Sequence, residues 1–181
     1  MTDPLLVVDA PFLLYRSFFA LPDSIRGVDE HPVNALLGAT NAMLRIAADR
    51  HPRAIVMCFG AEAAAYRTEL YPDYHAARPA VPDALAWQFE QAPDLFGELG
   101  WGSASEEALE ADDLLGSYAE VEADAGGQTL IVTGERHLDH VVPVEGSSEY
   151  LRLIPNARAA VLERTGHLGS ITRPDAFAAL V

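Results

Sequence analysis

Three short apolar runs rich in β-branched residues constrain the fold of this chain more than any other feature. They read LLVV, AIVMCF and TLIV and cover residues 5–8, 54–59 and 129–132. Apolar runs that do not alternate with polar residues are typical of strands buried on both faces, as in parallel sheets. Because segments with helical spacing of apolar residues lie between the runs, the sequence predicts a three-layer, doubly wound, mainly parallel α/β sheet. The predicted helices include 33–50, 83–100 and 110–127.

Size and charge limit what this sheet can bind. The chain has 181 residues and is half hydrophobic, which indicates one globular domain over residues 1–181. Its net charge is −15, and all 12 basic residues are arginine. General attraction to nucleic acid is therefore excluded, since phosphate binding draws on Lys and Arg. Any contact with DNA must be local or bridged by metal ions.

The cellular compartment is predicted from the lack of a recognisable signal peptide and of a membrane-spanning stretch in the sequence. The N-terminus has neither the basic region nor the cleavage site of a signal peptide. No apolar stretch reaches the length of a membrane span. The single cysteine, Cys58, lies within an apolar run and is expected to be buried. We expect a soluble cytoplasmic protein without a membrane partner.

Acidic residues gather where a parallel sheet binds ligands, beyond the carboxyl ends of its strands. Asp9 directly follows the first apolar run, and Glu110, Asp112 and Asp113 stand at the head of a helical run. Glu110 and Asp113 are three residues apart and share a helix face. Two interpretations stay open. Either solvent and the helix dipole tolerate these charges, or a hard divalent cation such as Mg²⁺ or Mn²⁺ binds their oxygens.

Five segments in order resemble one known family. They read LLVVDAPFLLYRSFFALP, HPVNALLGATNAML, AIVMCFG, YRTELYPDYHAARPAVPDAL and EADDLLGSYA. Residues 4 to about 125 thereby resemble the N-terminal domain of bacterial 5′–3′ exonucleases. This is the flap-endonuclease-like group related to the small exonuclease domain of DNA polymerase I. The resemblance implies a PIN-like 5′-nuclease core that hydrolyses phosphodiesters in DNA with a free or flapped 5′ end.

The resemblance also implies roles for individual residues. In the family, the aspartate after the first strand and the E-x-D-D cluster bind catalytic Mg²⁺ or Mn²⁺, and the stretch after YR forms part of an arch around a single-stranded 5′ end. The implied catalytic metal ligands are Asp9, Glu110, Asp112 and Asp113, with Glu135 as a further metal ligand. The implied nucleic-acid contacts are Arg16, Arg67, Tyr71, Tyr74, His75 and Arg78.

Three departures from the family pattern weaken this expectation. Gly60 stands where the second strand of the family often ends in aspartate, and His75 replaces a lysine expected on the scissile phosphate. After the third apolar run the family reads TGDRD, whereas this chain reads TGERH. Glu135 retains a carboxylate with a longer side chain. Each change removes charge or geometry from a second metal site. The helix-hairpin-helix region that the resemblance leads us to expect after this core is also missing from the sequence, so we expect a weakened activity.

The remainder of the chain carries a second resemblance. Residues from about 128 to 181 resemble the C-terminal end of an α/β-hydrolase, with Asp139 as the triad acid and His167 as its base. The chain has no G-x-S-x-G nucleophile elbow, so only half a triad is present. The sequence therefore predicts a 5′-nuclease-like part over 1–127 and a hydrolase-like terminal part over 128–181. Two alternative functions remain, an inert domain that keeps only the fold and an α/β-hydrolase remnant.

Overall fold

The computed structural model describes residues 3–72, 74 and 79–134 of this chain. Strands and helices alternate through most of these residues, as the sequence predicts. In chain order the elements are β1 (Leu5–Asp9), α1 (Ala10–Ala20), α2 (Asn34–Arg50), β2 (Ala54–Gly60), α3 (Ala65–Leu70), α4 (Asp83–Glu98), β3 (Gly102–Glu106), α5 (Ala111–Asp124) and β4 (Thr129–Val132).

The four strands form one parallel sheet in the order β3-β2-β1-β4. Leu5 of β1 aligns with Ala54 of β2 on one side and with Thr129 of β4 on the other. Because all three pairings are parallel, every strand ends at the same edge of the sheet. The predicted parallel α/β sheet is confirmed.

Helices cover both faces of the sheet. Leu6 and Val8 of β1 pack in the main core with residues of α1, α2 and α4, whereas Leu5 and Val7 pack against α5. Successive residues of a strand face opposite sides of a sheet, which explains this division. All four side chains are buried, and each such burial contributes about 1.5–3 kcal/mol to stability. The run LLVV is therefore continuously apolar because both of its faces are covered, and the fold has three layers.

One strand was not predicted from the sequence. β3 has the sequence GSASE, pairs only with β2 among the described strands, and is exposed along most of its length. An edge strand with solvent on its faces gains little from apolar residues. It therefore lacks the apolar run by which the other three strands were recognised.

A buried glutamine joins α4 to the start of α2. Val33 at the N-cap of α2 offers no capping side chain. Instead, Oε1 of Gln88 accepts hydrogen bonds from the backbone N–H groups of Ala35 at 2.8 Å and Leu36 at 3.2 Å. Its Nε2 donates to Oδ1 of Asn34 at 3.2 Å, and Asn34 in turn donates to two carbonyls at the end of α1. These bonds satisfy polar groups that would otherwise be buried without partners.

Part of the predicted site lies outside the described residues. These are His75, Arg78, Glu135, Asp139 and His167. The proposed division of the chain at residues 127 and 128 likewise stays a prediction. In the part of the chain that the structure describes, no helix is long and apolar enough to cross a membrane.

Candidate functional site

Asp9 ends β1 and also caps α1. Its Oδ1 accepts a hydrogen bond from the backbone N–H of Phe12 at 2.9 Å, the usual N-cap contact. Pro11 in the first turn of the helix has no N–H that would need a partner. Thr133, just past β4, donates to the Oδ2 of Asp9 at 3.4 Å. The carboxylate is thus fixed at the carboxyl edge of the sheet, as the sequence predicts.

A close backbone approach brings the start of α5 to the same edge. The N–H of Ala61, just past β2, donates to the carbonyl of Leu109 at 2.8 Å. A Cβ at position 60 would lie 2.5 Å from the backbone nitrogen of Ala111 and 2.6 Å from the carbonyl oxygen of Leu109. Backbone atoms cannot swing away as a side chain can. Gly60 therefore permits this approach.

The three acids of α5 have different surroundings. Glu110, directly before the helix, is buried, whereas Asp112 in the first turn is exposed. Oδ2 of Asp113 accepts a hydrogen bond from the N–H of Glu110 at 2.9 Å. Negative side chains in a first helical turn are favoured by the helix dipole. The helix-start interpretation therefore explains part of the acidic cluster.

Arg67 of α3 bridges two of these acids. Its Nη1 donates to Oε2 of Glu110 at 2.9 Å, and its Nη2 donates to Oδ1 of Asp113 at 2.7 Å. Tyr66 donates to the same Oδ1 at 2.8 Å, and Tyr74 donates to the same Oε2 at 2.8 Å. Arg67 also donates to both phenol oxygens, at 2.7 Å for Tyr66 and 3.1 Å for Tyr74. The guanidinium of Arg67 is therefore a cation that bridges Glu110 and Asp113.

The pKa values at this bridge reflect the same contacts. Burial alone would lower the pKa of Arg67, but hydrogen bonds to Tyr66, Tyr74 and Asp113 and the charge of Glu110 raise it overall. Burial alone would raise the pKa of Asp113, but the N–H of Glu110, Tyr66 and Arg67 lower it overall. Burial is also the largest cause of the raised pKa of both tyrosines. At neutral pH Arg67 and Asp113 are therefore a charged pair, and the protonated phenols of Tyr66 and Tyr74 act as donors.

This arrangement does not fit a divalent ion. Both oxygens of Glu110 and both of Asp113 already accept hydrogen bonds. Mg²⁺ requires direct oxygen ligands at about 2.0–2.1 Å in nearly octahedral geometry. Within residues 3–72, 74 and 79–134, no group of three acids, histidines or cysteines could hold a metal ion. The metal-ligand roles of Asp9, Glu110, Asp112 and Asp113 stay predictions.

The predicted DNA-contact residues are not equally accessible. Tyr71 has 71% of its surface exposed, so its ring could stack on a base. Arg16 is half-buried on α1, and burial lowers its pKa. The guanidinium of Arg67 and the hydroxyl of Tyr74 contact acids rather than solvent. In this arrangement the guanidinium of Arg67 is paired with Glu110 and Asp113, and its role as a phosphate contact stays a prediction.

Three groups of the site were missed from the sequence. Tyr66 contributes a hydroxyl between Asp113 and Arg67, and its position next to Arg67 was the available signal. Thr133 contacts Asp9 from the residue after β4. The N–H of Ala64 donates to Oε1 of Glu110 at 2.9 Å. Every residue except proline has a backbone N–H, so the residue type does not indicate that this one contacts Glu110.

A parallel sheet covered on both faces, with acids at its carboxyl edge, places the protein in the class of PIN-like, 5′-nuclease-type α/β folds. The chain belongs to the family described as the 5′-3′ exonuclease, N-terminal resolvase-like domain, whose sequence pattern matches residues 4–164. Its fold is similar to that of the T5 D15 protein, whose crystals were grown with metal ions. The TM-score is 0.52 at 18% identity, over 77% of this chain and 52% of that chain.

Relatives with higher identity include two proteins named for DNA-processing activities. The DNA polymerase I of Mycobacterium bovis is 33% identical over 185 residues, which cover 97% of this chain and 20% of that protein. A 5′-3′ exonuclease of Streptomyces coelicolor is 34% identical over 149 residues, which cover 76% of this chain and 48% of that protein. The chain thus spans about a fifth of the first relative and about half of the second. The resemblance to bacterial 5′–3′ exonucleases is confirmed.

These matches bear on the C-terminal part of the chain. The family pattern continues to residue 164, past the expected change at 128, and the similarity to DNA polymerase I covers nearly the whole chain. The relatives therefore do not favour an α/β-hydrolase remnant with Asp139 and His167, nor an inert fold-only domain.

Proposed function

We propose that this domain carries the 5′–3′ exonuclease or flap-endonuclease activity of its family, a divalent-metal-dependent hydrolysis of phosphodiesters in DNA. The proposal rests chiefly on one observation. A chain of this family has a strand-end aspartate, Asp9, at the sheet edge that also receives the acidic start of α5. Acidic residues at such an edge are suited to phosphodiester chemistry with a hard metal ion.

The proposed substrate is DNA with a free or flapped 5′ end. Support comes from the relatives, which are named as a DNA polymerase and a 5′-3′ exonuclease. With a net charge of −15, the protein needs local contacts to hold a polyanion. The proposed phosphate contacts are Arg16, Arg67 and Arg78, with His75 in place of the family lysine. Tyr71 and Tyr74 are proposed to stack on bases, which requires no particular base sequence.

The proposed cofactor is Mg²⁺ or Mn²⁺, since both ions prefer oxygen ligands. The T5 D15 protein, which shares the fold, was crystallized with metal ions. The proposed ligands are Asp9, Glu110, Asp112 and Asp113, with Glu135 as a further candidate. In the described arrangement Glu110 and Asp113 contact Arg67, so no catalytic step is assigned to an ion. Asp9 is fixed by its backbone contact with Phe12 and does not depend on that pair. A cytoplasmic location agrees with a DNA substrate and stays part of the proposal.

Cleavage of a labelled 5′-flap duplex tests the function. Wild-type protein with Mn²⁺ or Mg²⁺ should release the flap, and a chelator should stop the reaction. Asp112→Asn should slow the reaction by at least about 100-fold. It removes a proposed ligand of the ion that would stabilise transition-state charge, and loss of such stabilisation costs about this much. Asp112 is exposed, so its substitution should leave the melting temperature nearly unchanged. Glu120→Gln is the matched control, because Glu120 is an exposed acid of the same helix. Absence of cleavage at every metal concentration, or full activity in Asp112→Asn, would refute the proposal.

A further inference from the structure

The disagreement between the predicted metal site and the observed contacts centres on one side chain. Arg67 places a positive charge between Glu110 and Asp113, two of the acids proposed to bind a metal. The pair is not a surface contact, since the side chains of Glu110 and Arg67 are only 10% and 21% exposed. Arg67 comes from α3, 43 residues before Glu110 in the chain. A long-range arginine therefore contacts two of the acids that the family resemblance assigns to a metal ion.

We propose that Arg67 is an internal counter-ion that competes with a divalent metal, so that guanidinium and metal occupy Glu110 and Asp113 one at a time. The contact is autoinhibitory in this sense, because the acids become metal ligands only after Arg67 has left them. The autoinhibition rests on the proposed function. The competition between the guanidinium and the metal ion can itself be measured without catalysis.

The hydrogen bonds at the bridge explain the competition. Oε2 of Glu110 accepts from both Arg67 and Tyr74, and Oδ1 of Asp113 accepts from both Arg67 and Tyr66. An ion that binds either oxygen directly needs the lone pair and the space that these donors use. The remaining oxygens, Oε1 and Oδ2, accept from backbone N–H groups that are fixed by the fold. The two oxygens that Arg67 contacts are therefore the ones that become available to bind an ion once Arg67 has left.

Charge balance favours the same conclusion. Two carboxylates and one guanidinium carry a net charge of −1 at the bridge, which reduces the attraction for an added cation. A divalent ion bound beside Arg67 would place like charges within about 4 Å of each other, where they repel strongly in a partly buried site. Once Arg67 is absent, the same carboxylates present a charge of −2. Removal of the guanidinium therefore raises the affinity of the site for a divalent ion.

The attachment of α3 allows Arg67 to leave. The helix has six residues, and none of them is buried. Leu70 is 70% exposed, and Tyr66 is more than one-third exposed. The polar contacts of Tyr66 and Arg67 with the acids are therefore a major part of what holds α3 against α5. Exchange of Arg67 for an ion uncovers no hydrophobic core, so it does not require unfolding of the domain.

The test is a calorimetric titration with Mn²⁺ of wild-type protein, Arg67→Gln and Arg53→Gln. Arg53→Gln is the matched control, because Arg53 pairs with Glu122 of the same helix α5 but lies just before β2, at the opposite edge of the sheet. Arg67→Gln should bind Mn²⁺ about tenfold more tightly than wild type, within the range of measured couplings between sites. The double variant Arg67→Gln/Asp113→Asn should lose that gain. Equal or weaker binding by Arg67→Gln, or the same gain in Arg53→Gln, overturns the proposal.

A second measurement needs no variant and covers the case in which Arg67→Gln does not fold. The Arg67 Nε–H donates to Tyr66 at 2.7 Å and should give a protected resonance in the NMR spectrum of the wild-type protein. Saturating Mg²⁺ should move it to the position of a solvent-exposed guanidinium. A resonance that stays in place while Mg²⁺ binds overturns the competition. Wild-type cleavage of the flap substrate without either effect refutes this inference alone, whereas both effects without cleavage refute only the proposed function.

Discussion

Nη1 of Arg67 lies 2.9 Å from Oε2 of Glu110, and this contact joins the short helix α3 to the start of α5. Glu110 and Asp113 at the head of α5 are therefore paired with a guanidinium rather than simply solvated. Of the two interpretations left open by the sequence, stabilisation at a helix start and balance by a cation, each explains part of the site. The helix start stabilises the carboxylate of Asp113, which accepts from the N–H of Glu110, and an arginine supplies the cation.

Glu110→Gln should destabilise the domain by about 2 kcal/mol. Removal of one partner from a buried pair costs about 3–5 kcal/mol, and partial exposure of Arg67 reduces that figure. The amide would also present donors to Arg67 and Tyr74, where the carboxylate accepts. Urea unfolding followed by circular dichroism measures the change. Glu107→Gln, at an exposed position just before, should change stability by less than about 0.5 kcal/mol. Equal losses of unfolding free energy in the two variants would show that the contacts of Glu110 with Arg67 and Tyr74 do not stabilise the domain.

Three of the four described strands could be predicted from the sequence because each contains a continuous apolar run. β1, β2 and β4 lie at the predicted apolar runs, and Asp9 follows the first run at the predicted sheet edge. A strand covered on both faces needs apolar residues at every position. The end of such a run marks the end of the strand and hence the edge at which ligands bind.

The missed features leave no comparable trace. β3 is polar because it is exposed along most of its length, and α3 buries none of its residues. The partners of Arg67 lie 43 and 46 residues further along the chain, too far for any local spacing rule. The acids were recognised from their crowding. The identity of their cation depended on tertiary packing, which residue types do not record.

Gly60→Ala should destabilise the domain by about 3 kcal/mol, at the upper end of the usual cost of overpacking. The added Cβ would meet backbone atoms of Leu109 and Ala111 at 2.5–2.6 Å, so the loop into α5 has to move. Gly97→Ala is the matched control. Nothing lies within 4 Å of a Cβ at that helical position, and alanine there should stabilise by about 0.5–1 kcal/mol. Melting temperatures of the two variants should therefore shift in opposite directions.

The close backbone approach at Gly60 also predicts what happens when an aspartate, which the family often has at this position, replaces the glycine. Gly60→Asp should be at least as destabilised as Gly60→Ala, because its Cβ meets the same backbone atoms. We expect no gain in Mn²⁺ affinity unless the start of α5 moves. A stable Gly60→Asp protein with tighter Mn²⁺ binding would show that this loop is more adaptable than its contacts indicate.

Gln88→Met should destabilise the domain by about 3 kcal/mol. Methionine keeps the size of the side chain but removes the acceptor for the N–H groups of Ala35 and Leu36, which leaves them buried without a partner. Gln91→Met makes the same change at an exposed position of the same helix and should have little effect. Hydrogen exchange at Ala35 and Leu36 provides the specific readout. Faster exchange there than elsewhere in α2 is expected for Gln88→Met, and unchanged exchange would mean that another group caps the helix.

The buried thiol of Cys58 predicts how stability depends on alkaline pH. Burial is the largest cause that raises the pKa of Cys58 from an ordinary value of 9.0 to about 11. The unfolded chain therefore loses this proton at lower pH than the folded one does. Its contribution is fully present below pH 9 and is lost as the pH rises towards 11. Because Tyr66 and Tyr74 also have raised pKa values, the Cys58 part must be isolated by comparison with Cys58→Ala.

Cys58→Ala should lose less stability than wild type between pH 9 and pH 11, as measured by urea unfolding at each pH. Native wild-type protein should also resist iodoacetamide at pH 8, because the thiol is fully buried, and should react at the rate of a free thiol in urea. Parallel pH profiles for the two proteins, together with rapid labelling of the native state, would mean that the strand pair β1–β2 opens to solvent. That outcome would contradict the packing of Cys58 against Leu5 and Val7 beneath α5, on which the second face of the sheet depends.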